Sequence, residues 1–343
     1  MHVQQHLYKA NSAAFLRERT MRHWALAAGC TNVHTQPLSY AQAIRSEDAE
    51  AWTQAAHEEY IRLVVTTGTG SFVPHAAKPK QRKASYYNPQ LKVKMKNGTR
   101  IYRVRGTYGG DRGDFEGETA AYTASLTTIK VLLQSALSDD DDLLTSDISD
   151  YYLGSPMERP EYMRIQRRQI PQRTIDELNL EPLFEGDAIM MEVRKGIYGL
   201  KQAGKLAQDR LFAHLAQHDY ILDQNTSCLF RHKTRPIAFT LVVDDFLIKS
   251  RAREHTDHLL GTLHKLYRTT EDWSASKYLG MTIARSRAER TLTLSMPEFL
   301  PQMLARLNYD WDGRKAHSPL HSDRKIEELN QSLKREQLPA RRR

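Results

Sequence analysis

Two adjacent aspartates, Asp244 and Asp245, sit between two apolar runs in TLVVDDFLIKS (residues 240–250), and this segment narrows the possible folds more than any other. Val242 and Val243 lead in, and Phe246, Leu247 and Ile248 lead away. Short β-branched and aromatic runs around a polar pair predict a strand–turn–strand hairpin with both carboxylates at its tip. Like charges held that closely raise each other's pKa and resist crowding. A divalent cation removes that cost and is a sufficient reason for the pair. Turns also favour aspartate for its local hydrogen bonding, so the pair by itself leaves a plain β-turn open. A further carboxylate, Asp147, ends a short apolar strand in LLTSDISDYYLG. If the two elements are neighbours in one sheet, their hard oxygen donors converge at its edge. Two-metal phosphoryl transfer needs that arrangement, with ions about 4 Å apart that activate the attacking oxygen and steady the leaving group.

The rest of the chain sets the context. Its 343 residues exceed what one hydrophobic core usually serves, so two or three subdomains are expected. The formal charge of +9 favours a polyanionic partner, nucleic acid before acidic membrane. Cys30 and Cys228 are far apart, which excludes a disulfide scaffold and a cysteine-based zinc site. Neither a signal peptide nor an apolar run of about 20 residues is present, so a non-secreted, non-membrane protein is expected.

Residues 1–36 read as a loosely attached polar leader. A helix is predicted across Ser46–Val65, with Trp52, Ala55, Ala56, Tyr60, Leu63 and Val64 at helical spacing, and TTGTGS then reads as a plain turn. LKVKMKNGTRIYRVRG predicts a hairpin turning at Asn97-Gly98. Pairing outward from that turn sets Lys94 opposite Ile101 and Lys92 opposite Arg103, so Lys92, Lys94, Arg103 and Arg105 share one face and Leu91, Val93, Tyr102 and Val104 the other. The basic face suits either a solvated surface or a phosphate. TAAYTASLTTIKVLLQSAL reads as a helix, the run Asp139–Asp142 as a solvated loop, and Arg159–Asp187 as an irregular insertion. Helices follow from about Ala203 to His218, with Leu206, Leu211 and Leu215 inward, and around Leu259, Leu260, Leu263 and Leu266. YLGMTIARS and TLTLSM read as strands, Phe299–Leu307 as a last helix, and the charged tail from His321 as disordered.

Several segments together resemble a known family. LVVDDFLIKS resembles the aromatic-x-Asp-Asp hairpin of reverse transcriptases, and SDISDYYLGS their first aspartate motif. KGIYGLKQAG closely resembles the LYGLKQ signature of copia-type retrotransposon polymerases. PLSYAQAI with AWTQAAHEEY, KNGTRIYRVRG, YLGMTI and HSPL match in the family's order, from about Pro37 to Leu320. The resemblance implies an α+β right-hand polymerase: fingers over 37–142, a palm with a ferredoxin-like antiparallel sheet over 143–285, and a partial thumb over 286–320. It implies that Asp147, Asp244 and Asp245 bind two Mg2+ ions, for which Mn2+ can substitute. Tyr152 matches the aromatic gate that excludes a 2′-hydroxyl. Gly199, Lys201 and Gln202 match the loop that supports the template and incoming base, Arg103 and Arg105 are candidates for gripping the triphosphate, and Tyr278, Leu279, Gly280 and Met281 match the primer grip. The implied partners are an RNA or DNA template with its primer, dNTPs and other parts of the element's polyprotein, in a cytoplasmic virus-like particle or the nucleus. Protease, integrase and ribonuclease H lack room here, so neither RNA-strand degradation nor integration is expected of this chain. Three positions depart from the pattern: Val242 stands where an aromatic is usual, Tyr151 where a small residue is usual, and Gly204 where proline often follows.

Other readings fit less well. A catalytically inactive remnant would bind nucleic acid without extending a primer. A nucleotide cyclase needs glycines where Val242-Val243 stands, and a DDE-type integrase uses spaced rather than adjacent acids. His255 and His258 lack the partners of a zinc site.

Overall fold

The backbone alternates between two large sheets, and the element order shows how. A computed structural model describes residues 38–297 except 97–98, together with residues 299 and 303. The expected leader, the Asn97-Gly98 turn, most of the last helix and the tail lie outside the described residues. The described residues begin with α1 (Tyr40–Ala43) and α2 (Ala49–Ile61), and a π-helical turn (Arg62–Thr66) ends α2. Then come β1 (Gly70–Val73), β2 (Ala84–Lys96), β3 (Thr99–Tyr108), α3 (Leu126–Ser138), β4 (Asp142–Ser149), β5 (Pro156–Gln166), α4 (Gln172–Glu177) and β6 (Ala188–Lys195). After α5 (Ala203–Ala216) follow β7 (Tyr220–Leu222), β8 (Leu229–His232), β9 (Ile237–Val242), β10 (Asp245–Ser250), α6 (Arg253–His264) and β11 (Arg268–Asp272). The chain to Ser295 closes with β12 (Lys277–Tyr278), β13 (Met281–Ser286) and β14 (Thr291–Ser295).

The fold is mixed α/β with three described sheets, ordered β1-β6-β5-β2-β3, β11-β4-β10-β9-β8-β7 and β12-β13-β14. In the six-stranded sheet every neighbouring pair is antiparallel. Its core gathers Phe239, Phe246, Leu247 and Ile248 with Leu211 and Leu215 of α5 and Leu259 and Leu263 of α6, all fully buried. Burying each such side chain contributes about 1.5–3 kcal/mol, which ties both helices to the sheet that carries the aspartates. In the five-stranded sheet Met163, Ile165, Ile189, Met191 and Val193 form a second core. The apolar face of the β2–β3 hairpin is covered by α2, where Trp52, Ala55 and Ala56 meet Leu91 and Val104, and Trp52 packs edge-on to Tyr102 at 4.8 Å. That leaves the basic face free of the helix.

The hairpin register is the expected one, with Lys96 opposite Thr99, Lys94 opposite Ile101 and Lys92 opposite Arg103, and its strands extend beyond the expected ends. Four expectations need correction. Arg159–Asp187 is not irregular: it holds most of β5, all of α4 and the approach to β6. Pro160 falls where the ladder can spare an N–H, because the β5–β6 register shifts between Pro156 and Glu161. The helix expected from Thr119 begins only at Leu126, with Ser125 as its cap accepting from Thr128 N at 3.0 Å. The backbone before it is used elsewhere, since Tyr122 N donates to Gln208 Oε1 and Ala124 N to the Leu241 carbonyl. In α5 the inward residue of the first turns is Ala207 rather than the half-buried Leu206. Leu266 lies beyond α6 and is exposed. Among the described residues no helix is long and apolar enough to cross a membrane.

Candidate active site

The hairpin β9–β10 turns through Val243 and Asp244, because Val242 pairs with Asp245. Val243 adopts φ 61°, a left-handed conformation that costs a β-branched residue about 1–3 kcal/mol. On its other side β10 pairs with β4 so that Asp245 stands directly opposite Asp147. Side chains opposite one another share a face of the sheet, so these two carboxylates are cross-strand neighbours. Asp244 is held beside them: its carbonyl accepts from Ile148 N at 3.0 Å. Burial, then Asp244 and Asp147, push the Asp245 carboxyl up to about 6. Burial and then the charge of Asp244 also raise Asp147, and burial raises Asp244. Among the described residues none of these carboxylates has an ion-pair partner, and no group of three or more acidic, histidine or cysteine side chains already stands close enough to hold an ion. Backbone register thus brings them side by side without converging their oxygens. Their chemistry still fits a hard divalent cation, which prefers oxygen donors and would relieve both the burial and the repulsion.

The basic face of β2–β3 looks toward this tip. Lys94, Arg103 and Arg105 each pull the Asp147 carboxyl down against the burial that raises it, and Arg105 does the same to Asp244. Partial burial, then crowding by Arg103, Lys92 and Arg105, holds the Lys94 ammonium below its ordinary range. This cationic wall is open to solvent, with Lys92, Lys94 and Arg103 exposed and Arg105 partly buried, and its charge acts on the acids of the tip.

Aromatic rings stand beside Arg105 and near Asp244. Tyr152 is half-buried, and burial followed by the charge of Asp244 pushes its hydroxyl up to about 12. Tyr151 turns into the core of the six-stranded sheet, 2% exposed, so the core absorbs the ring where a small residue was expected. Gly199 has φ 91°, and a Cβ there would meet the Tyr108 carbonyl at 2.1 Å, so only glycine lets this loop approach β3. Lys201 is exposed, whereas Gln202 is buried with its Nε2 3.9 Å from the Met157 sulfur and its Oε1 without a hydrogen-bond partner. Tyr278 is buried beneath the hairpin and donates to the Asp245 carbonyl at 3.3 Å. Leu279 and Gly280, at φ 50° and 77°, form the turn that leads to Met281.

A family model described as reverse transcriptase (RNA-dependent DNA polymerase) matches residues 74–313, well over half of the chain. The chain belongs to that family. The domain is of the copia type, as the motifs implied, and the matched span lies inside the wider one over which they resemble the family.

In this reverse transcriptase domain two supporting features escaped the sequence reading. Glu59 of α2, almost fully buried, accepts from Gly106 N at 2.7 Å and from Arg62. Arg62 also binds Asp150, which receives Arg268 on its other oxygen at 3.2 Å. This chain of charges links the strand carrying Arg105 to the turn preceding Tyr152. Tyr198, the other feature, lies within the LYGLKQ-like motif; the motif was visible, but its partners depend on tertiary packing.

Proposed function

We propose that this chain is an RNA-directed DNA polymerase that extends a primer on an RNA or DNA template with dNTPs, and that Asp147, Asp244 and Asp245 hold two magnesium ions. The observation that carries the reading is the pairing of Asp147 with Asp245 beside the Asp244 turn, uncompensated by any ion pair among the described residues. When bound, the ions would supply activation of the primer hydroxyl and charge stabilisation at the leaving group. Arg103, Arg105 and Lys94 attract the triphosphate, the guanidinium forks suiting phosphate oxygens. Tyr152 excludes a 2′-hydroxyl by clash. Gly199, Lys201 and the free Gln202 Oε1 support the template and incoming base, and Leu279–Met281 meet the primer end while Tyr278 braces the hairpin from below.

A right-hand division is part of this reading. The strand order β11-β4-β10-β9, with α5 before β9 and α6 before β11, supports a ferredoxin-like palm. The five-stranded sheet with α2 then serves as fingers, which draws β5 and β6 into them, and the segment from about 286 would be the thumb.

Purified protein on a primed homopolymer RNA template, given Mg2+ and then Mn2+, tests the proposal. Template-directed incorporation is expected with either ion. Salt-dependent binding without incorporation would replace the polymerase by an inactive nucleic-acid binder. Tyr152→Ala should raise ribonucleotide incorporation about tenfold or more, and an unchanged ratio would remove it as the gate.

A further inference from the structure

Tyr198 lies in KGIYGLKQAG, but none of the roles proposed above uses it. Its ring joins two groups that would meet opposite parts of a nucleotide. The Arg105 guanidinium lies 4.0 Å from the centre of the ring, and Arg105 has no ion-pair partner among the described residues. Tyr152 packs against the same ring at 4.9 Å with the planes at 73°. Behind Tyr152 stand Tyr151 at 5.5 Å and, beyond it, Tyr267 at 6.4 Å from Tyr151. The backbone of Tyr198 is fixed as firmly as its ring. Its carbonyl accepts from Tyr108 N at 2.7 Å, and the glycine that follows fits only because it lacks a Cβ. The loop that carries the ring is therefore anchored to β3, the strand that also carries Arg105.

An aromatic face attracts a guanidinium, and an edge-on ring restricts its neighbour. Resting on the polymerase reading, we infer that Tyr198 is a positioning residue for nucleotide selection, presetting Arg105 for the triphosphate and holding Tyr152 against the sugar. One ring then governs both affinity and sugar discrimination. Its loss frees Arg105, which weakens the hold on any triphosphate, and frees Tyr152, which admits the 2′-hydroxyl. For a ribonucleotide the two effects oppose each other, whereas for a deoxynucleotide only the weakening remains.

The test uses the full chain on a dideoxy-terminated primer, where no bond can form, with Mg2+ and a template uridine. Equilibrium binding of dATP and of ATP is measured for the wild type, Tyr198→Ala and Tyr198→Phe. In Tyr198→Ala the dATP Kd should rise about tenfold while that of ATP stays nearly constant, so the preference falls about tenfold. Tyr198→Phe, which keeps the ring, should restore both values. A purely structural role would lower the active fraction and the melting temperature without moving the preference. An equal rise for both nucleotides, an unchanged preference, or a Tyr198→Phe that behaves like Tyr198→Ala would overturn the inference. A wild-type chain that binds neither nucleotide would instead remove the polymerase reading, and this inference with it.

Discussion

Aspartates gather at both ends of β4, and their surroundings treat them in opposite ways. At the start, Asp139 binds Lys249, Asp141 meets Lys249 at 3.2 Å and Arg251 at 3.4 Å, Asp140 meets Arg285 and Arg287 at 3.2 Å, and Asp142 binds Arg287. Near the other end, Asp147, Asp244 and Asp245 have no ion-pair partner among the described residues, and the basic face of β2–β3 acts on them only from a distance. Their pKa values move apart accordingly: the Lys249 hydrogen bond holds Asp139 below the ordinary carboxylate range, while burial and mutual repulsion push Asp245 up to about 6. The denser run is thus a structural clasp between β4, β10 and β13, whose charge is already answered. The sparser group keeps an unanswered negative charge, and that is the property a cation site needs.

Substitutions at the two ends should separate most sharply in activity. Asp147→Asn and Asp244→Asn are each expected to cut Mg2+-dependent primer extension by about a thousandfold or more, with circular dichroism unchanged. Asp140→Asn should leave extension within about twofold of the wild type, as expected for an exposed ion pair. Equal losses at both ends would break the contrast. Neutralising the wall comes next: Arg103→Gln with Arg105→Gln should raise the dNTP KM about ten- to a hundredfold, and an unaltered KM would reduce that face to solvated surface.

The smallest effects concern stability in metal-free buffer, and they should have opposite signs. A carboxyl whose folded pKa is raised destabilises the fold above that pKa, and the penalty fades as the pH drops. Asp245→Asn should therefore stabilise the metal-free protein at pH 7 by about 1 kcal/mol, allowing for solvent screening, and by less at pH 5. Asp139, with its lowered pKa, contributes stability above the ordinary carboxylate range, and that contribution is lost on acidification below it. Asp139→Asn should thus lower the denaturation midpoint at pH 7, and by progressively less as the pH falls through the lowered carboxyl pKa. Shifts of the same sign in both variants would show that the two groups share one electrostatic environment.

Local chemistry made part of this legible in advance. The hairpin register followed from Asn97-Gly98 and strict alternation, and the tip of β9–β10 from two aspartates between apolar runs. Gly199 stood out inside its motif, although the reason for it, the close approach to Tyr108, is a tertiary fact. What could not be read depends on contacts distant in sequence. Lys94 and Arg105 differ from any surface cation only because α2 covers the opposite face of their hairpin and turns them toward Asp147. β5 was hidden because Pro156 and Pro160 look like breakers until the register shift accommodates them. Val243 occupies a left-handed turn position that sequence rules reserve for glycine or asparagine. Tyr198 and Arg62 are unremarkable as letters and gain meaning from Arg105, Tyr152 and Asp150.

Binding of Mn2+ in the presence of a dNTP, followed by electron paramagnetic resonance, tests the central claim most directly. The wild-type chain and Asp142→Asn should bind the ion alike, whereas Asp147→Asn and Asp244→Asn should lose it. Retained binding in Asp147→Asn, or its loss in Asp142→Asn, would contradict the assignment of the cation site to the β9–β10 tip.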